Sequence, residues 1–230
     1  MSTVQGGQGN IVTNGLVLNL DAANPRSYLP PYNGTTWLNL ASSSNNGTLT
    51  NSPTYNTSNG GSIVFDGVDD YVSLPNGVLS GTGDFTVNQW IKCDSSETGG
   101  TLFGNFPSGN LQVLFGSRYI AMWLNNNSTY LGTSPWNTTL PQFTTSSIMM
   151  TVLRSGTTTA LYLNSILQKT GSSSDTIGTT GATFRIGDNT NSSGGEQYKG
   201  NIYNIQVYNR ALSASEVNQN FQATRARFGI

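Results

Sequence analysis

YKGNIYNIQVYNRALSASEVNQNF, residues 198–221, combines a strand, a corner and a capped helix in one run. Tyr203, Ile205 and Val207 alternate with Asn204, Gln206 and Tyr208, the period of a strand with one buried face. Ser213 with Glu216 three residues later forms a capping box and predicts a helix beginning at Ala214. Gly200 allows the chain to bend into the strand at low steric cost.

The rest of the chain fits around such a closing strand. GLVLNLD, residues 15–21, places Leu16, Leu18 and Leu20 in strict alternation and predicts the first strand. Asn24-Pro25 and Pro30-Pro31 break it into a loop, after which Trp37 and Leu40 return to the core. Residues 41–61 are rich in Ser, Asn, Gly and Thr and read as a long surface loop with one short strand at 47–50. SIVFDGVDDYVSLP, residues 62–75, reads as a hairpin about an Asp-Gly turn. In DFTVNQWIKC, residues 84–93, Phe85, Val87, Gln89 and Ile91 share one face; Thr86, Asn88, Trp90 and Lys92 share the other. Strands are also expected at 101–104, 111–115, 119–124 and 182–187, with a hairpin formed by 147–154 and 159–164. Many short strands with regular turn signals and one terminal helix predict an all-β fold, a single two-sheet antiparallel jelly-roll sandwich spanning residues 15–223. Residues 1–14 read as a flexible polar arm or docking strand, and 224–230 as a basic tail.

Composition limits the chemistry. Charged residues are 9% of the 230 and the net charge is −1, so no nucleic-acid surface is implied. Histidine is absent, which removes His-dependent triads and His-ligated zinc. The single cysteine, Cys93, rules out an internal disulfide and is expected to be buried. The start of the chain lacks a signal-peptide pattern and no apolar run reaches membrane-spanning length. Sequons at Asn33, Asn56 and Asn137 are what chance gives in so Asn- and Thr-rich a chain.

The motifs FDGVDDYV, FTVNQWIK, LYLNSILQKTG and YKGNIYNIQVYNRALSASEV occur in the order seen in laminin G-like (concanavalin A-like) jelly-roll domains, which the chain resembles over about residues 15–222. It departs from that pattern at Gln89, where a small apolar residue is usual, at Ser165 in place of Gly, and at 148–150, where a Trp-x-x-Val is missing. The resemblance implies the fold; the same fold serves lectins, enzymes, adhesion modules and virion proteins. GLVLNLDAANPRSY near the start and YNRALSASEVNQNFQATRARFGI at the end further resemble single-domain laminin G-like proteins of tailed bacteriophages. That likeness implies a non-enzymatic virion surface protein, a capsid decoration or tail-fibre or tail-tip part. Such a protein would assemble in bacterial cytoplasm as a homo-oligomer, a trimer by preference, against other virion proteins and host-surface glycans, with no membrane partner. The alternative is a free-standing bacterial lectin or adhesion module.

Three candidate sites follow. Glycoside hydrolysis needs two carboxylates about 5–10 Å apart; Glu97, Glu196 and Glu216 have no acidic partner on a strand, which argues against an enzyme. Asp66, Asp69 and Asp70 form the one acidic cluster. They either stabilise the turn through the backbone or, in the calcium reading that laminin G-like domains suggest, Asp69 and Asp70 join Asp188 as ligands. Trp136, Tyr130 and Phe106 lie in polar loops; they stack on a sugar, or Trp136 tucks beneath its loop. Arg225 and Arg227 are the candidate assembly contacts, docking on an acidic partner surface, or else belong to a solvated tail.

Overall fold

In the computed structural model the described residues are 10–30, 33–75, 78–79, 83–95, 99–105, 111–116, 119–124, 146–175, 177, 183–189 and 196–230. The first strands are β1 (Leu16–Asp21), β2 (Thr36–Trp37), β3 (Gly47–Thr50), β4 (Thr54–Asn56), β5 (Ser62–Asp66), β6 (Tyr71–Leu74) and β7 (Phe85–Cys93). They are followed by β8 (Gly99–Gly104), β9 (Leu111–Gly116), β10 (Tyr119–Leu124), β11 (Ile148–Ser155), β12 (Thr158–Leu163), β13 (Ile166–Ser172), β14 (Phe184–Ile186) and β15 (Lys199–Tyr208). The helix α1 (Ala214–Thr224) runs into a 3-10 turn, Arg225–Phe228. One sheet has the order β13-β12-β11-β7-β15-β5-β4, with β1 also paired to β15; the second runs β10-β9-β8-β14-β6-β3-β2. Every pairing is antiparallel. This is the expected two-sheet sandwich with one short C-terminal helix. Among the described residues no helix is long and apolar enough to cross a membrane.

The main core lies between the sheets, where Leu18, Phe65, Val72, Val87, Phe103, Phe184 and Ile205 are all buried. Cys93 is buried with them. Gln89 also faces inward, and its Nε2 donates to the Leu102 carbonyl of the opposite sheet at 3.0 Å. Its Oε1 has no partner among the described residues. This departure from the family pattern therefore ties the two sheets by one hydrogen bond and leaves one oxygen unsatisfied, at a cost of about 1–3 kcal/mol.

A second apolar cluster covers the outer face of the first sheet. Trp90, Met149, Tyr203 and Tyr208 pack there against Val217 and Phe221 of α1. Trp90 stacks on Phe228 with ring centroids 3.9 Å apart and donates its indole N–H to Thr224 Oγ1 at 2.8 Å. The helix begins as the capping box predicts: Ser213 accepts from the Glu216 amide and Glu216 from the Ser213 amide. Gly200 has φ 146°, and a Cβ at that position would collide with the Lys92 carbonyl.

Several sequence expectations are corrected. Residues 62–75 do not form a hairpin: β5 pairs with β4 and β15 in one sheet, and β6 with β3 and β14 in the other. The Asp-Gly corner carries the chain across the core, so that Phe65 and Val72 enter it from opposite sheets. Tyr203 does not share a face with Ile205 and Val207. A β-bulge between Ile202 and Asn204 makes Tyr203 the extra residue, turning it outward while Ile202 takes the inner position. A bulge between Leu16 and Leu18 likewise moves Leu16 to the outer cluster. Strands β4 and β13 lie in stretches whose polarity or exposure hid them. Residues 224–230 are not a free basic tail: Thr224 closes the helix and bonds Trp90, and the 3-10 turn Arg225–Phe228 seats Phe228 on the Trp90 ring. Likewise Val12, within the supposed arm, is buried and its amide donates to Asn220 Oδ1 at 2.8 Å. Trp90→Ala is expected to destabilise the fold by about 3–5 kcal/mol in equilibrium urea unfolding, because it removes an almost fully buried aromatic that anchors both α1 and the chain end.

Candidate functional site

The two outer faces of the sandwich differ in kind. Helix α1 and the 3-10 turn cover that of the first sheet, whereas that of the second carries polar and aromatic side chains. Residues directly opposite on neighbouring strands share a face. The pairings Trp123↔Gln112, Gln112↔Gly104, Gly104↔Arg185, Arg185↔Ser73, Ser73↔Thr48 and Thr48↔Thr36 therefore draw one transverse row across all seven strands. Tyr71 and Thr50 face the same way two residues along.

A hydrogen-bonded network holds the middle of this face. Gln112 Nε2 donates to Thr101 Oγ1 at 2.7 Å and to Glu196 Oε2 at 2.6 Å. Asn189 Nδ2 also donates to Glu196. Arg185 Nη1 donates to Asp188 Oδ2 at 2.7 Å and to the Asn189 carbonyl at 3.0 Å, and the guanidinium lies 4.0 Å over the Tyr71 ring. Burial pushes the Asp188 carboxyl above its ordinary range even with Arg185 beside it. Sequence reasoning did not single out Arg185 or Gln112; an Arg and a Gln at outward positions of predicted strands were the only signal.

The acidic corner is compact. Carboxylate oxygens of Asp66, Asp69 and Asp70 lie within 4.8 Å of one another, with Asp70 buried and the other two exposed. Opposite ligands of a calcium ion stand about 4.8 Å apart, twice a bond of about 2.4 Å, so the set fits one hard cation. Part of it also serves the turn: Asp70 Oδ2 accepts from the Asp66 amide at 3.0 Å, and Asp66 Oδ1 from the Val68 amide at 2.8 Å. Burial raises the Asp70 carboxyl above its ordinary value; the hydrogen bond from Asp66 opposes this and the charges of Asp66 and Asp69 add to it. A cation would relieve that repulsion. Asp188 is outside the cluster and ion-paired with Arg185, so the third carboxylate beside Asp69 and Asp70 is Asp66.

The other sequence candidates divide. Trp136, Tyr130 and Phe106 lie outside the described residues. Arg227 is engaged within the fold: it pairs with Asp21 at 2.8 Å and donates to the Asn59 and Gly61 carbonyls. Its guanidinium is therefore a lock on the chain end, because Asp21 and two carbonyls already take its donors. Arg225 is exposed, with its guanidinium 5.9 Å from the Phe221 ring centre. Glu216 belongs to the helix cap, where Arg210 at 2.6 Å holds its carboxyl down to about 2. Glu97 is outside the described residues.

The sequence pattern of the concanavalin A-like lectin/glucanases superfamily matches residues 66–218. The chain belongs to that superfamily. No curated protein sequence matches the chain. Among solved structures the superfamily fold is shared with domain 4 of AbnA, a GH43 extracellular arabinanase of Geobacillus stearothermophilus, in complex with arabinotriose. The identity is 18%, with 89% of this chain and 97% of that one covered and a TM-score of 0.70. The ligand binding domain of botulinum neurotoxin serotype D, in complex with N-acetylneuraminic acid, is 13% identical, with 92% and 51% covered and a TM-score of 0.69. A Trypanosoma rangeli sialidase mutant displaying trans-sialidase activity is 15% identical, with 95% and 34% covered and a TM-score of 0.67. This chain thus spans about half of the toxin domain and a third of the sialidase, and at these identities the likeness is one of fold.

If Asp66, Asp69 and Asp70 hold calcium, millimolar calcium is expected to raise the melting temperature over that in EDTA, and Asp70→Asn to abolish the difference. Equal melting temperatures with and without calcium would leave the corner a turn device only.

Proposed function

We propose that this chain is a non-catalytic carbohydrate-binding module. The supporting observation is the superfamily match over residues 66–218, in a fold shared with domains crystallised with arabinotriose and N-acetylneuraminic acid. The chemistry of the second sheet's outer face agrees: aromatic, guanidinium and hydroxyl groups stand there in one row, a mixture that recognises sugars. The non-catalytic part rests on the placement of the acids. The described acids near the second sheet and the helix are already engaged: Glu196 accepts from Gln112 and Asn189, Asp188 is paired with Arg185, and Glu216 is held in the helix cap by Arg210. Affinity electrophoresis through gels containing single polysaccharides tests this reading. Retarded migration in at least one polysaccharide, with the polymer left uncleaved, is the expected result; unretarded migration in all of them would reject it.

The setting we favour is the surface of a tailed-phage particle, as a capsid decoration or a tail-fibre or tail-tip part, in homo-oligomeric form. Its support is the resemblance of the stretches at 15–28 and 208–230 to virion proteins. A free bacterial lectin is the other setting. Immunogold electron microscopy of a source lysate separates them: gold on capsids or tails is expected, and gold confined to cell surfaces would transfer the module to the bacterium.

A further inference from the structure

Residues 10–14, NIVTN, lie against the end of β15, the corner after it and α1, and are held there by their main chain. Gln219 Nε2 donates to the Asn10 carbonyl at 2.8 Å, the Tyr208 hydroxyl to that of Val12 at 2.9 Å and Arg210 Nε to that of Asn14 at 2.9 Å. The Val12 amide donates in turn to Asn220 Oδ1 at 2.8 Å. Carbonyls at every second residue are thus taken by one wall, the period of an extended chain. Val12 alone among these residues is buried, and it joins the outer apolar cluster with Leu212 and Val217. The site therefore reads extended backbone and one apolar side chain.

The receiving groups lie 196–209 positions further along the chain. Tyr208 and Asn220 are fully buried, and Asn220 Nδ2 bonds to the Tyr208 hydroxyl at 3.0 Å, so that amide and phenol form one network around Val12. An absent segment would strip both of partners, so the folded protein favours keeping the site filled. The connection from this strap to β1 is short. Residues 13–16 form a turn closed by a bond of 3.1 Å from the Leu16 amide to the Thr13 carbonyl. Gly15 has φ 78° there, and a Cβ on it would stand 2.9 Å from Arg210 Cγ. A β-bulge between Leu16 and Leu18 interrupts the pairing just beyond. Opening the turn breaks the Thr13–Leu16 bond, and the bonds to Asn10, Val12 and Asn14 can all re-form on another copy. Short hinges of this kind invite the exchange of an element between protomers.

We infer that residues 10–14 are exchanged between copies of this chain, the strap of one filling the α1 site of another, so that Val12 of each copy completes the outer cluster of its neighbour. Each copy gives one strap and receives one, so the assembly closes with no site left empty. The four turn residues span about 13 Å when extended, which carries the strap off its own helix and across to an adjoining one. The strap has no charged residue and the chain a net charge of −1, so copies meet without strong repulsion. The inference is independent of sugar binding and supplies the contact for the homo-oligomeric form favoured above.

The test uses the full chain. Asn10→Cys and Gln219→Cys, at exposed positions that meet across the site, are placed in separate chains, co-expressed and treated with a short bismaleimide. Cys93 is buried and does not compete. We expect mass spectrometry to find residue 10 of one chain linked to residue 219 of another, and light scattering to give a multiple of the chain mass at micromolar concentration. Links within single chains carrying both substitutions, with none between the co-expressed single variants, would overturn the exchange, as would a monomer at every concentration. Deleting residues 1–14 is expected to give monomers of lowered melting temperature, which a synthetic peptide of residues 10–15 raises again; oligomers persisting in that deletion would overturn the strap as their contact. Sugar binding is read separately by affinity electrophoresis and stands or falls without these results.

Discussion

Trp90 joins the middle of the first sheet to the helix and turn at the end of the chain. Its ring lies between the first sheet and the end of the chain, stacked on Phe228 and close to Phe221, with its N–H on Thr224. The contact turns a two-layer sandwich into three layers over its central strands. It also explains why β7 and β15 are buried on both faces, so that Thr86, Asn88 and Gln206 need partners inside the protein and find them. Thr86 Oγ1 donates to the Arg210 carbonyl and accepts from the Leu212 amide; Asn88 bonds to Gln206 and Thr151. These buried polar groups are tolerable only because every one of those bonds is made. Arg227, paired with Asp21, then holds the chain end down over β1.

Helix α1 covers one outer face, and the described residues place polar and aromatic side chains on the other. An apolar outer face would demand its own cover, as the first sheet's does. The second sheet instead presents Trp123, Arg185, Tyr71 and a run of hydroxyls, which can remain in water. The rim adds a corner where the chain changes sheets, and the geometry that lets Asp66 and Asp70 close that corner also gathers three carboxylates. Turn and candidate cation site are thus one structure, the hydrogen bonds fixing the acids in place while burial, with the charges of Asp66 and Asp69 adding to it, raises the Asp70 carboxyl.

Sequence alternation proved reliable wherever the ladder is regular. The two faces of β7 follow it residue by residue, including the inward Gln89. Where a bulge inserts one residue the parity flips, and Tyr203 and Leu16 end on the opposite side from their expected companions. Nothing in the composition of these strands signals a bulge, because both faces are apolar. The corner at 66–70 was ambiguous for a related reason: an Asp-Gly turn between two alternating runs suits a hairpin and a sheet crossing equally. Asp188 was placed at the acidic corner by its position after β14, but Arg185, three residues earlier, pairs with it first.

By itself the sequence determined the class of fold, the helix start and the exclusion of histidine- and disulfide-based chemistry, since periodicity, the Ser213–Glu216 box and residue counts are local or compositional properties. Tertiary structure alone decided which strands share a sheet, which face the helix covers, and that Arg185 stands in one transverse row with Ser73 and Thr48. Ser73 and Thr48 precede Arg185 by 112 and 137 positions, separations that no local pattern links. Strand register brings them together, and register is fixed by the packing of the whole core rather than by any one segment.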